Sequence, residues 1–360
     1  MAYQNVSTPR FYIDQFSYLL ASNQVDNSYY DGHTGIDKNV FSYPGLIGLN
    51  PTSQFILTDA GYFSFDIPTN FNTATPIGNK TAYIAVLGHN LETIGMRVFT
   101  EWHDGDGTKP SITENEIVNL HGTEDYYPSF DGYTFYKFTT EPSSSETSRF
   151  LRLIFHKDGA WAGLSLSSLS WGFVYEMPVA PDLSLSLEHD YSGIKKTTSM
   201  SGASFSNANW IKPPKWGDLE AWQLAYKETY SYGTVYEVYH KHPRPYSGRR
   251  IWDLSFSYIS DDDLEPENYT GTLTDAQHSQ GTVNWFEDVL HYTMGGHLPF
   301  IFQPNKDATY SATDTSESGT LDLLEEIPEF AICRFDMNSF SREQVAPGVY
   351  NIKIKVKESW

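Results

Sequence analysis

Residues 249–265 read RRIWDLSFSYISDDDLE. Trp252, Leu254, Phe256 and Tyr258 recur at every second position, with Asp253, Ser255 and Ser257 between them. A period of two belongs to an extended strand with one buried face, because successive side chains of a strand point to opposite sides. The run Asp261-Asp262-Asp263 then decides whether the strand ends in a site or in a turn. A hard cation needs several oxygens converging from fixed directions, usually from alternating positions around a bending glycine. Three adjacent acids diverge, and LEPENY follows without a glycine. The sequence therefore predicts a turn here, in which Ser260 or an aspartate accepts backbone N–H groups.

The same strand chemistry recurs on both sides of this stretch. In residues 61–68, GYFSFDIP, Phe63, Phe65 and Ile67 alternate with Ser64 and Asp66 until Pro68. Residues 81–91, TAYIAVLGHNL, are almost continuously apolar, as a central strand buried on both faces would be. GMRVFTEW, GYTFYKFTT, SRFLRLIFHK and LSLSSLSWGFVYEMP supply further strands up to Pro178. Leu183, Leu185 and Leu187 alternate with serines and predict another inward-facing strand. GTVYEVYHKH is expected to form a hairpin with the 249–260 strand across the loop HPRPYSG. LPFIFQP, EFAICRFDM and VYNIKIKVKESW close the series. In the last, Ile352, Ile354 and Val356 point in and Lys353, Lys355 and Lys357 point out; if this is an edge strand, those lysines also discourage unwanted pairing. One helix is predicted near 282–294, where Val283, Phe286, Val289 and Leu290 share a face and Gly295 supplies a left-handed cap. Frequent strands with little helix predict an all-β chain of two antiparallel β-sandwich or jelly-roll domains, with one amphipathic helix in the second.

Composition narrows the function classes. The chain has 360 residues, 16% of them aromatic, and a formal charge of -21 from 45 acids against 24 bases. An overall acidic surface opposes phosphate-tracking, so no nucleic-acid partner is expected. The N-terminal residues lack the basic and apolar regions of a signal peptide, and no apolar run is long enough to span a bilayer; the expectation is a soluble chain made in a cytoplasm. Cys333 is the only cysteine. It excludes an intramolecular disulfide or a cysteine zinc cluster, and its apolar strand predicts a buried thiol.

Chemistry-bearing patterns are weak. WHDGDG places Asp104 and Asp106 in the first part of an EF-hand-type loop, but the later acids and the glutamate are missing, so a solvated loop is expected rather than a metal. Glu101 beside Trp102 is a carboxylate to check for glycosidase chemistry, which needs two acids across a cleft. No Gly-x-Ser-x-Gly elbow, phosphate loop or dinucleotide fingerprint is present. No catalytic residue and no cofactor are expected. The one basic cluster, HKHPRPYSGRR, carries Lys241, Arg244, Arg249 and Arg250. It is read either as solvated loop charge or as a patch that docks on an acidic neighbouring copy. The aromatic N-terminal segment, PRFYIDQFSYLLAS, predicts a strand followed by a short helical turn. Phe11 and Tyr12 within it would contact a neighbour if the segment is an arm, or join their own sheet if it is not.

The order YIAVLGHNL, MRVFTEW, RFLRLIFHK, LSLSSLSWG resembles the galactose-binding-like jelly-roll modules of tailed-bacteriophage structural proteins. The likeness lies in the turn His89-Asn90-Leu91, the arginine-bearing strand from Arg149 to Arg152, and the closing strand ending at Trp171-Gly172. The second half is similar to the β-sandwich of phage distal-tail and minor-tail proteins: the RRIWDLSFSYI strand, an amphipathic helix, GGHLPFIFQPNKD and a final strand, in that order. The order of the two modules departs from the familiar distal-tail layout. The resemblance implies an arm over 1–40, a galactose-binding-like sandwich over 41–178 and a ring-like sandwich over 179–360. It further implies a non-enzymatic virion protein of the tail tip or baseplate, assembled in the host cytoplasm with copies of itself and other tail proteins. Such modules bind sugars through aromatic platforms, which makes Trp102 and Trp161 the expected glycan contacts if the chain is instead a lectin-like protein of host attachment.

Overall fold

The computed structural model describes residues 6–23, 36–39, 44–49, 55–57, 62–68, 81–103, 132–139, 150–156, 163–190, 194–208, 215–216, 219–220, 227–231, 235–239, 249–265, 283–306 and 330–359. The chain is strand-rich, with large antiparallel sheets and few helices.

Among the described residues the largest sheet has ten strands. Across it run Ser186–Asp190, Arg249–Ser260, Val349–Glu358, Ala331–Phe335, Phe300–Gln303, Arg10–Asp14, Ser168–Glu176, Thr81–His89 and Gly132–Thr139, while Arg342–Ala346 pairs with Val349–Glu358. All its neighbours are antiparallel. A second sheet joins Ile36–Asn39, Tyr62–Pro68, Phe150–His156 and Arg97–His103, with the first pair parallel. Phe55–Leu57 pairs with Leu164–Leu166.

Arg10–Asp14 lies between Ser168–Glu176 and Phe300–Gln303, so the earliest described strand joins strands from both halves of the sequence. Phe11 is fully buried there, its ring 5.2 Å from those of Trp285 and Phe302 and 5.6 Å from that of Phe300. Tyr12 is equally buried, and its hydroxyl donates to Gln303 Oε1 at 2.6 Å. Both rings belong to the chain's own core, so of the two readings the segment joins its own sheet, and Phe11 and Tyr12 are not contacts to a neighbour. The strand-then-helix expectation holds: Gln15–Ala21 is helical and is capped by Asp14.

Thr81–His89 is buried on both faces from Tyr83 to Leu87, as its unbroken apolar run predicts. At Gly172 the backbones approach so closely that an added Cβ would lie 1.9 Å from the carbonyl oxygen of Ile13. Only glycine fits there.

The Arg249–Ser260 strand keeps the predicted phase at Trp252, Leu254 and Phe256, all fully buried. A bulge between Phe256 and Ile259 then shifts the register. Tyr258 adopts φ +63° and is 77% exposed, and Ile259 takes its place in the core. The aspartate run becomes the short helix Asp261–Leu264, with Ser260 Oγ accepting the N–H of Asp263 at 3.2 Å. The expected cap is present.

Four further expectations change. The Arg249–Ser260 strand pairs with Ser186–Asp190 and Val349–Glu358, while Val235–Tyr239 pairs with Lys227–Ser231. Val349–Glu358 is an interior strand, so its lysines act on neighbouring strands: Lys357 reaches Asp190 at 2.7 Å and Lys355 reaches Asp336 at 3.5 Å. Of the three leucines expected to face inward, Leu185 packs against the core while Leu183 and Leu187 are exposed, and among the described residues Ser186–Asp190 is the last strand of the sheet. The predicted helix is a π-helix, Phe286–His291, and Val283 lies outside it, exposed. Asn284 caps it by accepting from Glu287 N at 2.8 Å, while Asp288 Oδ2 accepts from Asn284 N at 2.9 Å. The buried anchor is Trp285. Gly295 does turn left-handed, φ +68°, and its N–H reaches the carbonyl of Leu290 at 2.8 Å.

Candidate functional site

Two places concentrate unusual chemistry: a polar cluster inside the core, and an exposed segment at one end of the main sheet.

The inner cluster forms where the Arg10–Asp14 strand turns into its helix. Asp14 Oδ2 accepts from Ser17 N at 3.2 Å and from Ser17 Oγ, and Oδ1 accepts from Ser170 Oγ at 2.9 Å. Ser170 in turn meets the Tyr83 hydroxyl at 2.8 Å. Burial pushes the Asp14 carboxyl up to about 6 against hydrogen bonds from Ser17 and Ser170 that lower it. His89 is pushed down to about 3 by burial and stays neutral. Asp14, Ser170 and Tyr83 are all buried, so no substrate reaches them. Such a cluster satisfies buried polar groups and fixes geometry; it is not an open site.

A second buried polar pair joins Arg250 to Glu358. Arg250 Nε lies 2.5 Å from Glu358 Oε1, its backbone N–H donates to Oε2 at 2.8 Å, and its guanidinium lies 4.9 Å from the centroid of the Trp252 ring. Arg250 is therefore not a docking residue; the correction follows from its inward register beside Trp252. Arg249 is half-buried opposite Asp190. Burial, with Glu358 nearby, holds the Cys333 thiol well above its usual range.

The outer segment begins at Leu183 and runs through the edge strand Ser186–Asp190 into a hairpin, Ile194–Thr198 with Ser204–Ala208. The hairpin pairs with itself and, among the described residues, with no other strand. Its turn is well formed: Ser199 N donates to Ala203 O at 2.8 Å, Gly202 N to Ser199 O at 2.9 Å, and Gly202 adopts φ +82°. Met200 stands fully exposed at the tip and Phe205 is 64% exposed on one strand. Leu183, Leu187, Met200 and Phe205 make this segment the richest in exposed large apolar side chains among the described residues.

Of the remaining sequence candidates, Trp102 lies on the Arg97–His103 strand in register with Leu151, and its side chain is outside the described residues. Asp104, Asp106, Trp161, Lys241 and Arg244 also lie outside them. The hairpin drew no expectation from the sequence, although SMSGAS between KKTT and FSN carries the small residues of a tight turn. Among the described residues no three His, Cys, Asp or Glu side chains group to hold a metal ion, and no helix is long and apolar enough to cross a membrane. Comparison with protein-family models, curated proteins and solved structures returns no match.

Proposed function

We propose that this chain is a structural subunit of a tailed-phage virion, in the tail tip, the baseplate or a tail-associated ring, and that its work is subunit contact rather than a reaction. The observation that carries the proposal is the exposed stretch at 183–190 and 194–208, where a strand that is the last of its sheet among the described residues and a self-paired hairpin present apolar side chains to solvent. Exposed edges and clustered apolar side chains are liabilities in an isolated chain and assets in an assembly. The inner polar cluster supports the same reading, since the carboxyl of Asp14, raised by burial, is taken up by the hydroxyls of Ser17 and Ser170. In this reading residues 41–178 and 179–360 form two antiparallel sandwich-type modules, the first galactose-binding-like and the second ring-like.

The deciding experiment images tail particles of the source phage with the chain labelled. A closed set of copies at the tail tip is the expected result; particles that lack the chain overturn the proposal. A purified chain that stays monomeric at high concentration, and binds glycans in a manner abolished by Trp102→Ala or Trp161→Ala, would instead make it a lectin.

A further inference from the structure

We propose that the 194–208 hairpin is an assembly arm that docks on a second copy of this chain, at the corner formed by Tyr258, Asp261 and Asp262. The inference rests on the subunit reading above and names its contact.

Among the described side chains of the hairpin and its turn, Ser199 is half-buried and the rest are exposed. Lys195, Lys196, Thr197 and Thr198 on one strand, and Ser204, Phe205 and Ser206 on the other, are all exposed. A two-stranded ribbon is marginal by itself in water and gains stability only against a packed surface. Its bonded turn holds Met200 in place, so little further ordering is needed on contact. Register places Phe205 opposite Thr197, and Lys195 lies two residues along the strand from Thr197, so an aromatic ring and an ammonium group point the same way.

Charge selects the occupant. Residues 194–208 hold two lysines and no acid, in a chain of charge -21. A second copy is therefore an acidic partner for this arm. The corner at the bulge matches it in both respects. Tyr258 is thrown outward in a left-handed conformation that is an outlier for an aromatic residue. Asp261 and Asp262 are exposed beside it. Asp263 is held by the Ser260 hydroxyl and Glu265 pairs with Arg342, whereas Asp261 and Asp262 are the exposed carboxylates of that helix and form no ion pair among the described residues. Arm and corner are different surfaces, so the contact is head-to-tail and closes into a ring or continues as a filament.

Light scattering coupled to size exclusion on the full chain tests this. Wild type is expected to assemble with rising concentration and to weaken with added salt. K195E/K196E and M200S/F205S are each expected to raise the dissociation constant about tenfold or more, with thermal melts unchanged at dilutions where wild type and variants are both monomeric, because the side chains are exposed. Adding D261K/D262K to K195E/K196E is expected to restore assembly. Assembly that survives both arm variants overturns the arm and leaves the ring reading standing; failure of the double charge reversal overturns the corner. A wild type monomeric at every concentration overturns the ring reading as well.

Discussion

Asp14 shows how one carboxyl can serve the fold while working against it electrostatically. It caps the Gln15–Ala21 helix and ties Ser170 of the neighbouring strand, so it must be present. Burial nevertheless raises it from 3.8 to about 6. Between those values the folded state binds more protons than the unfolded chain, so stability falls as pH rises through that window. The contribution is complete below the unfolded value and gone above about 6, a loss of about 3 kcal/mol. Asp14→Asn keeps an accepting oxygen but does not titrate. Urea unfolding of both proteins from pH 4 to pH 7 is expected to show Asp14→Asn gaining on wild type by that amount; a constant difference would refute the buried titration. Arg250 and Glu358 make the complementary case. Their charges offset each other in the core, so removing one partner, as in Glu358→Ala, is expected to cost about 3–5 kcal/mol in guanidinium unfolding. Replacing both, as in R250M/E358L, is expected to fall close to wild type, because an apolar pair of similar volume needs no counter-charge.

At the scale of elements, the alternation in residues 249–256 was legible because burial on one face imposes a period of two. It stopped being legible at Tyr258, since a bulge adds a residue without leaving a composition signal. Tyr258→Gly removes the side chain that dislikes φ +63° and is expected to raise stability by about 1 kcal/mol, read from the denaturation midpoint. An unchanged or lowered midpoint would mean that the ring's contacts outweigh the backbone strain. The Ser260 cap was legible for the opposite reason: a hydroxyl next to an acidic run has a local partner, and no distant contact is needed to place it. The helix near 282–294 was half legible. Val289 and Leu290 face the core as their spacing suggests, yet Trp285 anchors the element and the helix winds in the wider π form. Tertiary packing set both features. Gly172 was seen only as the end of a strand, and its close approach to Ile13 depends on a partner more than a hundred residues away. Gly172→Ala forces the two backbones apart at mid-sheet and is expected to cost 3 kcal/mol or more, roughly the upper end for overpacking. The outer segment 183–208 was not legible as a candidate surface, because its leucine alternation has the same period whether a layer covers it or not.

For the molecule as a whole, the decisive link is long-range. The Arg10–Asp14 strand hydrogen-bonds to Ser168–Glu176 on one side and to Phe300–Gln303 on the other. Phe11 fills the space between Trp285, Phe300, Phe302 and Phe335. Beside this strand, Arg10 and Lys306 both bond Glu176, and those bonds hold its carboxyl below the usual range although burial opposes them. Sequence distance concealed this arrangement, since nothing local in PRFYID says which strands will flank it. Removing residues 1–14 would leave two strand edges unpaired and take the two buried rings of Phe11 and Tyr12 out of the core. Phe11→Ala alone is expected to cost about 3–5 kcal/mol, and the truncated chain is expected to be insoluble through its exposed Phe300–Gln303 and Ser168–Glu176 edges. A fragment of residues 179–360 carries the same open edge at Phe300–Gln303. Adding a synthetic peptide of residues 6–23 to that fragment supplies the missing strand in trans, by the strand-addition mode that open sheet edges accept. The expected result is a peptide-dependent gain in soluble, cooperatively melting protein, with a Phe11→Ala peptide markedly weaker. Equal solubility and melting with and without the peptide would show that the 179–360 strands close without the Arg10–Asp14 strand.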